Sequence, residues 1–241
     1  MARLRSGVLA AWMSAWIAGT VGPDQVLDAV TGDDAPHQVD AYDSLLDLLV
    51  GWRQSGEPVR LVLPVAGDVR GVPGPADFRA CALDVGEAVC GSGIGIVPAI
   101  VDYSPSSAPP SVTWQAFAIE DIPADHQQLG DAQYELTTAI RECASALTAA
   151  DVAASSDDIA PALAGARRAG EHLELPPGFP ARAVALLAQA ERLQSVLAIA
   201  GADQLGGAID RFGLAARDSA LRPLETAVRR ARLAGYNALS R

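Results

Sequence analysis

Residues 58–119 interrupt a chain that otherwise carries helical periodicity, and that interruption restricts the fold more than any other feature. The segment opens Pro58-Val-Arg-Leu-Val-Leu-Pro64, and its unbroken apolar run Leu61-Val62-Leu63 predicts a strand covered on both faces. A Gly/Pro-rich stretch from Gly67 to Pro75 follows and reads as a rigid loop. Asp77 is placed to cap a helix whose apolar face is Phe78, Cys81, Ala82, Val85 and Val89. The run Gly91-Ser-Gly-Ile-Gly95 reads as the stop of that helix. Residues 94–101 read as a second strand, with Pro98 marking an edge or a bulge. Residues 113–119 alternate with the period of two expected of a third. The expected unit is β-α-β-β, with any parallel crossover right-handed.

On either side the spacing is that of helices. Leu4, Val8, Trp12 and Trp16 recur at steps of four and predict a first helix presenting that stripe to the core. Arg3 and Arg5 ahead of an apolar run give the segment the superficial look of a signal peptide, but no small-residue cleavage motif follows. A second helix opens at Gly22-Pro23-Asp24. A third is expected over about 39–54, with Tyr42, Leu45, Leu46 and Leu49 inward, Asp40, Asp43 and Asp47 outward, and Gly56 as its stop. Beyond residue 123, Asp125 and Gln128 resemble a capping box ahead of a seam of Leu129, Ala132, Leu136, Ile140, Cys143 and Leu147. A helix is expected over about 158–172. Two further seams follow, Leu186 to Ala200 and Leu221 to Ala238, and their spacings predict antiparallel helices at shallow angles. Apart from the first segment, no window approaches the ~20 apolar residues of a membrane span. The expected fold class is α+β, predominantly helical and bundle-like, with a small β-α-β-β sheet of about three strands. It is read as one domain over 1–241, with 1–122 and 123–241 as subdomains.

Charge narrows the function classes. Residues 1–160 carry a net charge of −15 and residues 161–241 a net of +4, for −11 overall. An acidic chain is poorly suited to nucleic acid, which needs clustered cations to displace counterions. Every cation is arginine, with no lysine anywhere. That closes the phosphate-loop, pyridoxal, kinase-type and Ser–Lys readings, all of which need lysine. Cys81, Cys90 and Cys143 are odd in number and form no C-x-x-C pair, so neither a zinc site nor a disulfide framework is indicated; reduced thiols fit the cytoplasm.

Candidate sites are few. The loop over 66–79 leaves a strand and enters a helix N-terminus, and Asp68, Arg70 and Arg79 are placed to meet an anionic or polar ligand there. The bland alternative is a stiff connector with solvated charges. Gly91 to Gly95 has neither the spacing nor the order of a dinucleotide loop, and it is not a nucleophile elbow. His37, His126 and His172 are far apart, and Glu171-His172-Leu173-Glu174 lacks the second cluster a metal site needs. Arg217, Arg222, Arg229, Arg230, Arg232 and Arg241 form a C-terminal cationic stripe, of which Arg222, Arg229, Arg230 and Arg232 are the candidate partner-binding residues. The expected protein is therefore a cytoplasmic, non-catalytic interaction or structural module using helical surfaces, as a homodimer or with a protein partner. No cofactor, metal, nucleic acid or membrane is expected. The alternative is a small-molecule binder or enzyme for an anionic ligand, using loop 66–79.

Overall fold

The computed structural model describes residues 3–101, 108–120, 127–149, 165, 166, 168, 170–203 and 211–240. Among these the fold is α+β, with seven helices and one mixed sheet of five strands. The chain divides into two units. One is Ala2–His126 with Glu174–Phe179 and Tyr236–Arg241; the other is Gln127–Leu173 with Pro180–Gly235.

The first unit is built on the sheet, in the order β1-β5-β4-β3-β2. Its strands are β1 (Gln38–Val39), β2 (Arg60–Val62), β3 (Ala88–Gly91), β4 (Ile94–Val101) and β5 (Ser111–Ala118). β2 to β5 are antiparallel neighbours, and the parallel pair is β1 with β5. Three strands were expected; β1 and β3 make it five. Residues 88–91 continue the 3-4 spacing of the preceding helix, which is why Val89 reads as helical. The helix in fact stops at Gly86, whose φ of 83° suits glycine alone and whose N–H bonds Ala82 at 2.8 Å. The glycine run from Gly91 is accordingly a hairpin turn rather than a helix stop. Ser92 and Gly93 sit at φ 42° and 73°, the twist that lets a two-residue loop join β3 to β4. β4 is an interior strand, but its register with β3 ends at Ile96, so Pro98 pairs only with Trp114 of β5. The β2-helix-β3 connection joins antiparallel strands, so no parallel crossover arises there.

Each face of the sheet has its own helix. On one face lies α4 (Ala76–Val85); Phe78 and Ala82 are buried there with Val62, Ala88, Cys90 and Val97, and Phe78 meets Phe117 at 5.7 Å between ring centres. Gly95 makes room for that ring, since a Cβ there would fall 2.5 Å from Phe78. Against the other face lies α1 (Arg5–Ile17), contacting β2, β3 and β4 as well as α2 (Pro23–Thr31) and α3 (Leu45–Ser55). α1 is thus a central helix, buried over Arg5–Ala11 and Met13–Ala15, and the Trp12/Trp16 edge of the expected stripe is its less buried side. α3 starts at Leu45, later than expected, because Ser44 caps it through Asp47 N–H at 3.2 Å; Asp40, Tyr42 and Asp43 precede the helix.

The second unit contains α5 (Leu129–Ala149), α6 (Ala181–Asp203) and α7 (Arg211–Tyr236). The three expected seams meet here: Leu136, Cys143, Leu186, Ala190, Leu197, Leu224, Val228 and Ala231 form one buried cluster. Ala181–Gly201 has the length and apolar composition of a membrane span, contrary to the sequence expectation, but Leu186, Ala190 and Leu197 on it are core residues. The body is therefore divided between a layered sheet unit and a helical unit, and is not predominantly a helical bundle. Asp125 and most of the helix expected over 158–172 lie outside the described residues.

Candidate functional site

The loop between β2 and α4 is built from both ends. Val65 and Asp68 exchange backbone hydrogen bonds (Val65 N–H to Asp68 O, 3.1 Å; Asp68 N–H to Val65 O, 2.9 Å), closing a tight turn with Gly67 at φ 85°. Val72 and Phe78 are buried and anchor the far side. Glu120 N–H bonds the Gly74 carbonyl at 3.1 Å, and a Cβ at Gly74 would meet the Glu120 carboxylate, which would have to swing aside.

On this frame the three expected residues come together. Arg70 donates to Asp68 through Nε at 2.9 Å and Nη2 at 3.0 Å, a two-pronged pair. Arg79 donates from Nε to the Pro73 carbonyl at 3.2 Å, which fixes its guanidinium at the start of α4. Asp68, Arg70 and Arg79, with Gly67, Val69, Gly71 and Val72, line one concavity of about 490 Å³ that is open to solvent. Val69 in this lining and Val65 just before it are 46% and 42% exposed. Asp77, expected as the cap of α4, lies inside its first turn and accepts from Phe78 N–H at 2.9 Å.

The cationic stripe on α7 is partly engaged within its own unit. Arg230 reaches Glu135 of α5 at 3.3 Å and Arg232 reaches Glu191 of α6 at 2.9 Å. Arg229 is half-buried, and Arg222 is exposed. The side chains of Arg217 and Arg241 lie outside the described residues.

A third cluster has no local signature in the sequence. Arg5 of α1 grips Asp34 with Nε and Nη2 at 2.6 and 2.7 Å. His37 Nε2 lies 3.2 Å from the same carboxylate, and Trp114 Nε1 lies 3.2 Å from His37 Nδ1. Side chains of Arg5, Asp34 and His37 are 8%, 6% and 1% exposed. Burial opposes the charge on Asp34, yet hydrogen bonds from Arg5 and His37 prevail and hold its carboxyl below the ordinary range. Burial pushes His37 below the ordinary imidazole value, which Asp34 only partly offsets. Arg3 completes the cluster, bonding the carbonyls of Ala29, Val30 and Thr31 at the end of α2 and donating to Glu174 at 2.6 Å. A cation there complements the negative end of the helix. Glu174 thus belongs to this pairing, not to a metal fragment with His172. The signal in the sequence was two arginines at the start of a largely apolar helical segment, where unpaired charge is not tolerated.

The remaining reactive groups are subdued. Cys90 is buried and its thiol is pushed up to about 12, while burial also raises Cys81 and Cys143. Cys81 bonds Gln115 at 3.0 Å. No group of three His, Cys, Asp or Glu side chains among the described residues is placed to hold a metal ion.

Comparison with known proteins gives this architecture a family. The N-terminal domain of Rv1486c-like proteins matches residues 6–129, and the C-terminal domain of the same proteins matches residues 130–233. Uncharacterized protein Rv1486c of Mycobacterium tuberculosis is 32% identical, over 96% of this chain and 95% of its own length. Uncharacterized protein ML1804 of Mycobacterium leprae is 27% identical over the same shares. No solved structure matches. With both domains of the family matched in order along its length, the chain belongs to the Rv1486c-like proteins.

Proposed function

We propose that this protein is a non-catalytic interaction module, and that the 66–79 loop is one of its contact surfaces. The observation that carries this reading is the character of the concavity: open, preformed, and combining the exposed Val65 and Val69 with Arg70 and Arg79. Apolar side chains beside arginine are the composition of protein contact patches, while small-molecule sites enclose most of their ligand. Rigid anchoring at Val72, Gly74 and Arg79 lowers the ordering cost of docking. The imidazole–carboxylate pair that resembles acid–base machinery supports the same reading, because both ring nitrogens of His37 are spent inside the protein. On the helical unit, Tyr134 is 73% exposed on α5 and Arg222 is exposed on α7, and these suit a homodimer or a second partner. The three free cysteines are consistent with the cytoplasm.

A photocrosslinking side chain at Val69 tests the reading inside cells, with one at the exposed Asp24 as control. A discrete protein adduct from position 69, absent from position 24 and lost on Arg79→Glu, is the expected result. Adducts that are equal at both positions reject it. The second reading is an anionic small molecule held by Arg70 and Arg79, favoured by their meeting in one concavity. It predicts a ligand that copurifies with the wild type and is lost on Arg79→Ala; a wild type that carries no such ligand rejects it.

A further inference from the structure

The geometry points to an acid-released latch: the His37 ring, held between Trp114 and Asp34, keeps β1 on the edge of β5, and protonation of that ring frees the edge. An indole N–H can only donate, so His37 Nδ1 must carry a lone pair toward Trp114 at 3.2 Å. The neutral ring then has its hydrogen on Nε2, where it is donated to Asp34 at 3.2 Å. A further proton can add only at Nδ1. There it would set two N–H groups facing one another across a hydrogen-bond distance, in a site where the side chain is 1% exposed.

The surrounding charges do not rescue the imidazolium. Asp34 is the carboxylate that faces the ring, and Arg5 already occupies both of its oxygens. Arg3 and Arg5, from the α1 side, both oppose a positive ring. Trp114, from β5, offers no charge, and Glu87 and Glu174 act on Arg5. Relief comes by moving the ring away from Trp114.

What moves with it is small and adjacent. β1 consists of the next two residues, paired as Gln38 with Thr113 and Val39 with Trp114. Its flanks hold by Asp40 N–H to Trp114 O and Ala35 N–H to Pro110 O, each 2.9 Å. Release of residues 35–40 would leave the outer edge of β5 unpaired, and such an edge accepts a strand from another chain.

Amide exchange on the full-length protein between pH 7.5 and 5 tests the latch. The expected result is that protection factors at Asp40 and Ala35 fall by about tenfold per pH unit, as for an opening coupled to one proton. The midpoint should lie below the ordinary imidazole value of 6.5, with Val89 and Ile96 of the β3–β4 pair keeping their protection. His37→Gln keeps an acceptor for Trp114 and a donor for Asp34 without titrating, and should abolish the fall. Protection at Asp40 that stays flat to pH 5 in the wild type, or an unchanged fall in His37→Gln, overturns the proposal. Should that variant not fold, the wild-type ring ¹⁵N shifts decide: opening that takes up a proton requires Nδ1 of the closed ring to stay unprotonated at 6.5, and an Nδ1 that has gained its proton at 6.5 or above overturns the latch.

Discussion

The two units are held together in different ways. In the sheet unit, buried and half-buried polar side chains join residues remote in sequence: Arg5 to Asp34, His37 to Trp114, Asn237 to Leu61, and Ser240 to Ser14 and Val59. In the helical unit, three apolar seams interlock, and Gly235 brings α7 so close to α6 that a Cβ there would strike Leu187. Its charges sit outside those seams or at their margins, as Glu135 with Arg230 and Glu191 with Arg232. Apolar seams tolerate exchange of one small hydrophobe for another, whereas a half-dismantled polar network leaves desolvated groups without partners. Substitution of polar residues should therefore damage the first unit more than the second.

The largest effect is expected at Asp34. Replacing it with alanine leaves the buried Arg5 guanidinium and the His37 Nε2–H without their shared acceptor. Removing one partner of a buried ion pair costs about 3–5 kcal/mol. Exchange measured peptide by peptide should show that loss in residues of α1, α2 and the sheet, with α5 to α7 unaffected. Equal losses in both units would break the contrast.

That same contrast explains what could be read in advance. The seams of α5, α6 and α7 were legible because each is written locally, in residues three and four apart along one helix. The Asp68, Arg70 and Arg79 grouping was legible because a short stiff loop keeps sequence neighbours together in space. Residues 88–91 were not, since Val85 and Val89 keep helical spacing across the Gly86 stop. Two-residue β1 carries no periodicity at all. Within the Arg5, Asp34, His37 and Trp114 cluster, the His37–Trp114 bond alone joins positions 77 residues apart, so the pairing exists only in the folded sheet.

Next in size is the guarded edge of β2. The Asn237 side chain accepts from Leu61 N–H at 2.8 Å and donates to Leu61 O at 2.9 Å, standing in for a neighbouring strand. Asn237→Ala leaves both backbone groups without these bonds, a cost of about 1–3 kcal/mol. The Leu61 amide should lose protection first. If it does not, the amide pair contributes little and the sheet unit does not depend on this remote polar contact.

Acid provides a graded version of the same test. Because the folded state holds His37 below its unfolded value of 6.5, the unfolded chain binds that proton first and stability falls as pH drops below 6.5. The slope should reach at most about 1.4 kcal/mol per pH unit, until the folded ring also protonates. Asp34 acts in a separate window. Its depressed value contributes stability above 3.8 that is lost as pH falls through the folded value. Urea titrations at pH 7, 6 and 5 should show the first loss in the wild type and none in His37→Gln.

The smallest effect should come from the helical unit. Glu135 and Arg230 are 39% and 30% exposed and approach to 3.3 Å, so water and salt screen their attraction and two long side chains lose freedom to make it. Glu135→Ala is expected to cost less than about 1 kcal/mol, with the difference vanishing as salt approaches ~1 M. Glu191 and Arg232, only 9% and 13% exposed, should be more sensitive, since less solvent replaces the lost partner. The decisive comparison is Glu135→Ala against Asp34→Ala under identical conditions. Similar costs would mean that surface ion pairing, not seam packing, holds the helical unit. A difference of several-fold, with Glu191→Ala between them, would show that burial sets the value of each charge in this chain.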